Sequence, residues 1–238
     1  MKRITLVLLA FGFLGQSASA EDWDWQIAPY LWTSSISSDL ALGPVEIDTE
    51  VEFSDILDLF DGGGLLHIEA QRGAQGFFGD VVFLALEPDD SFSPVGGETD
   101  ADLDTLILEA GYLHKFPHAN GFAGVEVGLR YWNFDLSLEP ALIAGIDRDK
   151  DWVDGFVGFR FNRELSGQWS YVGRANVGAG GSDLTWELDG TFLRERENGD
   201  ALAIGFKVLT IDNNKDSGGS RFVVDATFFG LTFGYVFD

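Results

Sequence analysis

The feature that most constrains the fold of this chain is the alternation of apolar and polar residues at every second position. In residues 123–132, one set of alternate positions holds Ala123, Val125, Val127, Leu129 and Tyr131, and the other holds Gly124, Glu126, Gly128, Arg130 and Trp132. Successive side chains of a β-strand point to opposite faces, so one face of this segment is apolar and the other carries the ionisable groups. The pattern recurs along the chain. It predicts an all-β fold, a transmembrane, antiparallel, up-and-down β-barrel with an apolar outside and a polar lumen.

The alternation predicts about ten strands, at 25–34, 65–72, 76–87, 103–116, 121–138, 152–164, 169–180, 184–196, 201–211 and 221–237. The connections between them alternate between short and mostly long. Bacterial barrels have short turns at one end and long loops at the other, and an even number of strands returns both chain ends to the same side. Ten strands satisfy both conditions.

A barrel of twelve strands is the alternative, because two segments do not fit the simple count. Residues 45–53 alternate strictly and could form a further strand, although we assign them to a long first loop. In residues 221–237 the apolar positions change from even to odd numbers, which a bulge or a turn near Phe229 and Gly230 would explain. Apolar residues at helical spacing also predict a short helix near 54–60.

The first twenty residues have the features of a secretory signal peptide. Lys2 and Arg3 precede an apolar run at 4–14, and Ala18-Ser19-Ala20 has the small residues that signal peptidase requires on either side of a variable one. We therefore expect a signal peptide at 1–20, a single barrel domain at 21–238 and a location in a bacterial outer membrane.

Composition excludes several classes of protein. The chain has 39 acidic and 15 basic residues and a net charge of −24, whereas nucleic-acid recognition needs a basic surface. It has no cysteine, which removes disulfides and thiolate metal sites. After the signal peptide, no apolar stretch is long enough for a membrane-spanning helix.

Several short motifs resemble those of a family of functionally uncharacterised outer-membrane barrels of Gram-negative bacteria. They are Pro29-Tyr30-Leu31-Trp32, Phe53-Ser54-Asp55-Ile56-Leu57, Asp151-Trp152-Val153-Asp154, Gly158-Phe159-Arg160 and Gly181-Ser182-Asp183-Leu184-Thr185-Trp186. The segment 230–237 is similar to the terminal strand that the barrel-assembly machinery reads in such proteins. The resemblance implies a fold, a location and that assembly partner, and it implies no particular chemistry.

The polar faces of the predicted strands define a candidate lumen lining. It comprises Glu69, Asp80, Glu109, Glu126, Arg130, Asp154, Arg160, Arg174, Glu187, Asp189, Lys207 and Asp225. Charged groups in a narrow interior must pair or stay hydrated. We therefore expect the three arginines to bridge carboxylates such as Glu126, Asp154 and Glu187.

This lining supports two functions. The first is a structural barrel that a packed, salt-bridged interior holds rigid. The second is a narrow cation-preferring diffusion channel, because the lining is mainly acidic and ten-stranded barrels are intermediate between filled small barrels and open porins. A secreted soluble β-sandwich that binds a ligand and an outer-membrane lipid-modifying enzyme are further alternatives. Tryptophans near predicted strand ends favour the barrel over the sandwich, as in an aromatic girdle: Trp25, Trp132, Trp152, Trp169 and Trp186.

The sequence predicts no catalytic residue, no cofactor and no metal site. Its three histidines, His67, His114 and His118, lack a neighbouring serine motif of the kind that hydrolases use. Acidic runs at 100–104, 147–151 and 212–216 lack the glycine and glutamate of a calcium loop. The expected partners are outer-membrane lipids and lipopolysaccharide, with divalent cations as a bridge to the acidic loops, and we expect a monomer.

Overall fold

The computed structural model describes residues 23–42, 45–51, 60–86, 99–140, 146–214 and 222–238. These residues form eleven strands: β1 Asp24–Leu42, β2 Val45–Val51, β3 Phe60–Arg72, β4 Gln75–Leu86, β5 Thr99–His118, β6 Gly121–Pro140, β7 Ile146–Glu164, β8 Trp169–Gly180, β9 Leu184–Glu195, β10 Ala201–Asn213 and β11 Phe222–Val236. No helix in this part of the chain is long and apolar enough to cross a membrane. The predicted signal peptide lies outside the described residues. So does the predicted helix near 54–60, except that Phe60 begins β3.

The sheet closes on itself as an up-and-down barrel. From β3 to β11 each strand pairs antiparallel with the next, β3 also pairs with β1, and β1 pairs with β11 from Tyr30↔Gly234 to Leu42↔Phe222. The barrel wall therefore contains ten of the described strands, namely β1 and β3–β11. This confirms the predicted all-β barrel of ten strands. The sandwich is wrong, because the strands form one closed sheet and not two packed sheets.

Residues 45–51 form strand β2, so our assignment of this segment to a loop is wrong. Among the described strands β2 pairs with β1 alone, from Val51↔Ile36 to Val45↔Leu42. A strand needs about 9–11 residues to span a membrane, whereas β1 has 19. The part of β1 beyond the membrane-spanning length can therefore pair with β2 at Ile36–Leu42. Strand β2 is not one of the ten strands of the closed barrel, so it does not produce a twelve-stranded barrel.

The change of phase in β11 reflects the contents of the barrel and needs neither a bulge nor a turn. Pairing with β10 continues without interruption from Val236 to Val224. Even-numbered side chains face inward along the strand and odd-numbered ones face outward. Accordingly Val224, Ala226 and Phe228 are buried, whereas Phe229, Leu231 and Phe233 are exposed. The apolar side chains change sides because the interior itself becomes apolar near one end.

The outer face of the barrel carries a band of exposed apolar side chains. On β7, Val153, Val157 and Phe159 are 48–60% exposed, and the outward positions beyond the band are Asp151 and Arg163. At about 3.3 Å per residue and a tilt of about 40°, residues 152–162 span roughly 25–30 Å, close to the apolar band of outer-membrane barrels. Exposure of so many apolar side chains fits lipid and would be unfavourable in water.

The two ends of the barrel differ in their connections. At one end, which we call the short-turn end, the connections are 73–74, 119–120, 165–168 and 196–200. The other end, the long-loop end, carries the connections 52–59, 87–98, 141–145 and 214–221 together with the tight turn 181–183. This arrangement matches the alternation of connection lengths in the sequence.

Candidate functional site: the barrel lumen

Charged side chains from six strands meet across the middle of the lumen. We call them the ion-pair layer; it consists of Glu69, Glu109, Glu126, Arg130, Arg160, Arg174 and Glu187. Each of these residues is at most 8% exposed. Charges are buried to this degree only when they are paired, and inward alternation on neighbouring strands supplies the partners.

Arg174 and Arg130 organise the layer by sharing two glutamates. Arg174 lies 2.8 Å from Glu109 and 2.8 Å from Glu187, and it also pairs with Glu126 at 2.7 Å. Arg130 lies 2.6 Å from the same Glu109 and 2.6 Å from the same Glu187. Each planar guanidinium thus serves carboxylates from several strands, a geometry that a lysine could not reproduce.

Arg160 extends the layer towards β3. It pairs with Glu69 at 2.9 Å and with Glu126 at 3.1 Å. Arg160 and Arg174 lie directly opposite each other on β7 and β8, where like charges are normally destabilising. Because Glu126 accepts contacts from both guanidinium groups, it compensates for their proximity.

Two phenylalanine rings pack against these arginines. The Arg160 guanidinium lies 4.5 Å from the centroid of the Phe78 ring, and that of Arg130 lies 5.2 Å from the centroid of Phe156. The rings lie over Gly111 and Gly128, which stand between them in one cross-strand row. A Cβ atom at Gly128 would lie 2.5 Å from the Phe156 ring and 2.6 Å from the carbonyl oxygen of Ala110. The two glycines therefore make room for the aromatic part of the layer.

Asp154 does not pair with an arginine, contrary to our expectation. Its carboxylate accepts hydrogen bonds from Trp132 Nε1 at 2.8 Å, from the Ser182 backbone N–H at 2.7 Å and from Ser182 Oγ at 2.8 Å. Trp152 Nε1 in turn donates to Ser182 Oγ at 2.6 Å. Arg130 is directly opposite Asp154 on the sheet but pairs with Glu109 on its other neighbouring strand and with Glu187 across the lumen. Asp154 instead fixes the tight turn 181–183 to the barrel wall.

Three further predicted lumen residues lie around the ion-pair layer. Asp80 is buried; it accepts a hydrogen bond from the Tyr30 hydroxyl at 2.7 Å and lies 3.1 Å from His67 Nδ1. Lys207 is buried and its Nζ lies 3.6 Å from Glu187. Asp189 is half-buried and accepts a hydrogen bond from Thr191 at 3.2 Å.

Asp225 does not lie in the lumen. Its side chain is exposed, because odd-numbered residues of β11 face outward along the whole strand. The apolar residues on either side of it, Val224 and Ala226, are the buried ones. Assigning the polar face of β11 to the lumen was therefore wrong at this position.

A second layer of buried side chains, which is apolar, lies in the lumen between the ion-pair layer and the long-loop end. This apolar layer consists of Trp32, Val82, Ile107, Trp132, Leu209, Ile211, Val224, Ala226 and Phe228. On β6, Trp132 follows Arg130 at the next inward position, and on β4 Val82 follows Asp80 in the same way. The rings of Trp132 and Trp152 stack with their centroids 6.3 Å apart. On these two strands the interior therefore changes from charged to apolar within one inward position.

The apolar layer was not predicted from the sequence, although a signal for it existed. Trp132 shares the inward face of β6 with Glu126 and Arg130, and the inward face of β11 is apolar at one end. Trp132 and Trp152 therefore do not belong to an outer girdle. Trp25, Trp169 and Trp186 are exposed on the outer face, at 53%, 41% and 38% respectively.

The histidines do not converge on a common site. His67 lies between Asp80 and Glu69, whereas His114 and His118 lie at the short-turn end, where His114 packs against Phe116. In the part of the chain that the structure describes, no three metal-ligating side chains are grouped so that they could hold an ion. The described acidic residues of 100–104, 147–151 and 212–216 lie at the long-loop end.

Comparison with known proteins supports the fold. No family model matches the chain, and no curated protein matches its sequence. The outer membrane protease OmpT from Escherichia coli superposes with a TM-score of 0.51 at 8% identity, over 91% of this chain and 97% of that one. Ail, the attachment invasion locus protein of Yersinia pestis, gives a TM-score of 0.41 at 10% identity, over 90% and 98% of the two chains. At 8% identity the likeness to OmpT concerns the fold alone. The chain has the fold of an outer-membrane β-barrel.

Proposed function

We propose that this protein is an integral outer-membrane β-barrel of the structural type, with a lumen closed to diffusion. The observation that carries the proposal is the succession of two layers of buried side chains along one lumen. Together, the ion-pair layer and the apolar layer draw side chains from all ten strands of the barrel wall. In this proposal the barrel holds the long-loop end at the cell surface, where the acidic loops contact the surroundings.

The composition of the two layers supports closure over conduction. Ions cross a pore when they keep their hydration shell, or when polar groups of the pore replace it, along the whole path. In the ion-pair layer the arginines already occupy the carboxylates at 2.6–3.1 Å. An ion that passed this layer would next meet Trp132 and Leu209, which offer an apolar barrier. The membrane setting is supported by the apolar outer band.

Conductance of the purified protein in planar lipid bilayers tests this proposal. We expect the folded wild-type protein to be silent. Replacing Glu109, Arg130, Arg174 and Glu187 together by serine removes two acids and two bases, and therefore leaves the net charge unchanged. We expect this variant to stay silent, because the apolar layer remains. When Trp132 and Phe228 are also replaced by glycine, we expect stepwise conductance.

The controls separate a closed barrel from a misfolded one. Each variant is first assayed for a heat-dependent change of gel mobility, which reports a folded barrel. Steady conductance of the wild-type protein would contradict closure. If that conductance preferred cations, it would favour the narrow channel, whose support is the excess of carboxylates among the lumen residues. Recovery of the mature chain as a soluble monomer without detergent would contradict the membrane setting itself.

A further inference from the structure

The polar residues that border the apolar band differ in charge at the two ends of the barrel. At the short-turn end, three strands continue their outward apolar positions with an arginine: Arg72 on β3, Arg163 on β7 and Arg194 on β9. We call these residues the arginine edge. At the long-loop end, the outward positions beyond the band are aspartates on five strands: Asp104, Asp135, Asp151, Asp212 and Asp225.

The side chains of the arginine edge have aromatic neighbours. Arg72 lies over the Trp23 ring with its guanidinium carbon 4.6 Å from the ring centroid, and Arg194 lies over Trp169 at 5.7 Å. Arg163 stands directly opposite Tyr171 on the next strand. Aromatic rings of this kind occupy the boundary between acyl chains and headgroups. The arginine edge is therefore at headgroup level if the barrel is embedded as proposed.

None of these arginines makes an ion pair within the described part of the protein. Every described ion pair of an arginine belongs to Arg130, Arg160 or Arg174 inside the lumen. Arg163 and Arg194 are exposed and Arg72 is half-buried. In a chain with 39 acidic residues and a net charge of −24, three guanidinium groups without a carboxylate partner indicate that an anion outside the chain can pair with them.

We infer that the arginine edge binds the phosphate groups of anionic phospholipids in the leaflet that the short-turn end faces. A guanidinium group donates two parallel hydrogen bonds to a phosphate, and a neighbouring aromatic ring holds it at the depth where lipid phosphates lie. The site thus fixes the depth of the barrel in the membrane and the leaflet that its short-turn end faces. The inference rests on the proposed membrane setting.

Whether anionic lipid favours or hinders folding of the barrel distinguishes binding at the arginine edge from the electrostatic effect of the net charge. A chain with a charge of −24 is repelled by an anionic bilayer as a whole. Anionic lipid should therefore hinder folding unless a local cationic site binds it. Because one arginine near a membrane surface contributes about a fivefold gain in affinity, three of them can outweigh this repulsion.

The experiment compares the full protein refolded into vesicles of phosphatidylcholine with the same protein in equal parts of phosphatidylcholine and phosphatidylglycerol. We expect phosphatidylglycerol to raise the melting temperature of the wild-type barrel and to be retained preferentially after extraction. Each single change among Arg72→Gln, Arg163→Gln and Arg194→Gln should lower that preference about fivefold, and the triple variant should lose it. Inorganic phosphate added to phosphatidylcholine vesicles should not reproduce the shift.

A variant with Asp104→Asn, Asp151→Asn and Asp212→Asn is the matched control, because it changes three outward charges at the opposite edge. Because it also removes three negative charges, it should keep at least the full preference for phosphatidylglycerol. A wild-type barrel that folds equally well in both vesicles and retains no anionic lipid would overturn the inference and leave the proposed function intact. So would a triple arginine variant with unchanged preference. Failure to form a heat-modifiable barrel in either vesicle would instead contradict the proposed function.

Discussion

At the scale of single residues, the lumen depends on glycines as much as on charges. Phe78, Gly111, Gly128 and Phe156 are consecutive neighbours across β4, β5, β6 and β7. The rings lie over the glycines and at the same time contact the guanidinium groups of the ion-pair layer. Any side chain at these glycines would displace the rings, and with them the arginines.

Gly128→Ala should destabilise the barrel by about 1–3 kcal/mol, the usual cost of overpacking a filled interior. The added Cβ would meet the Phe156 ring and the Ala110 carbonyl oxygen, and a backbone atom cannot move aside cheaply. The measurement is the free energy of unfolding in urea in the presence of lipid vesicles. Gly155→Ala is the matched control on the neighbouring strand, because its Cβ would have nothing within 4 Å. Equal stability of the two variants would contradict this account of the glycine row.

At the scale of strands, β2 differs from all strands of the barrel wall. Among the described strands it pairs with β1 alone, whereas β6 pairs with β5 from Gly121 to Pro140 and with β7 from Gly121 to Leu138. If β2 no longer paired with β1, the hydrogen bonds between the ten strands of the barrel wall would all remain. Interruption of β6 opens the wall itself, and in lipid no water can satisfy the exposed backbone groups.

Thr49→Pro in β2 should therefore leave a folded, heat-modifiable barrel, whereas Val127→Pro in β6 should prevent its formation. Proline removes a backbone donor and is tolerated only at sheet edges. The measurement is the fraction of protein that shows the folded gel mobility after refolding into vesicles. If Thr49→Pro abolished folding, β2 would have to be part of the closed wall.

At the scale of the whole molecule, the charges are separated by environment. The described ion pairs of the arginines and of Lys207 lie in the lumen, shielded from solvent. The exposed charges are mostly acidic, and the outward aspartates lie at the long-loop end. Salt screens exposed charges strongly and buried pairs weakly. Added salt should therefore relieve repulsion without weakening the interior.

Raising the NaCl concentration from low to physiological ionic strength should increase the melting temperature in a zwitterionic detergent or vesicle. We expect an increase of about 2–4 °C, the shift that ~1 kcal/mol produces in a domain of this size. A protein stabilised by exposed ion pairs would show the opposite sign. A melting temperature that fell with salt would thus contradict the assignment of the stabilising pairs to the interior.

The sequence by itself determined the barrel, because strand alternation is a local property that every segment carries. Residues 123–132 and 152–161 reveal their outward faces without any knowledge of their neighbours. Ten wall strands follow from these faces and from the alternation of connection lengths. Inward charged residues such as Arg130, Arg174 and Glu187 could be found in the same way.

Only the tertiary structure decided which of those residues contact one another and where the polar lumen ends. Arg130 faces both Glu109 and Asp154 across neighbouring strands, yet it binds Glu109 and, across the lumen, Glu187. The prediction that Asp225 lines the lumen was wrong. Alternation separates the two faces of a strand, but it does not show which face is inward where the lumen itself is apolar. Closure of the barrel places strands that are distant in the sequence around one lumen. Which side chains meet across the lumen depends on the curvature of the sheet and the register between strands, and neither can be read from a single strand.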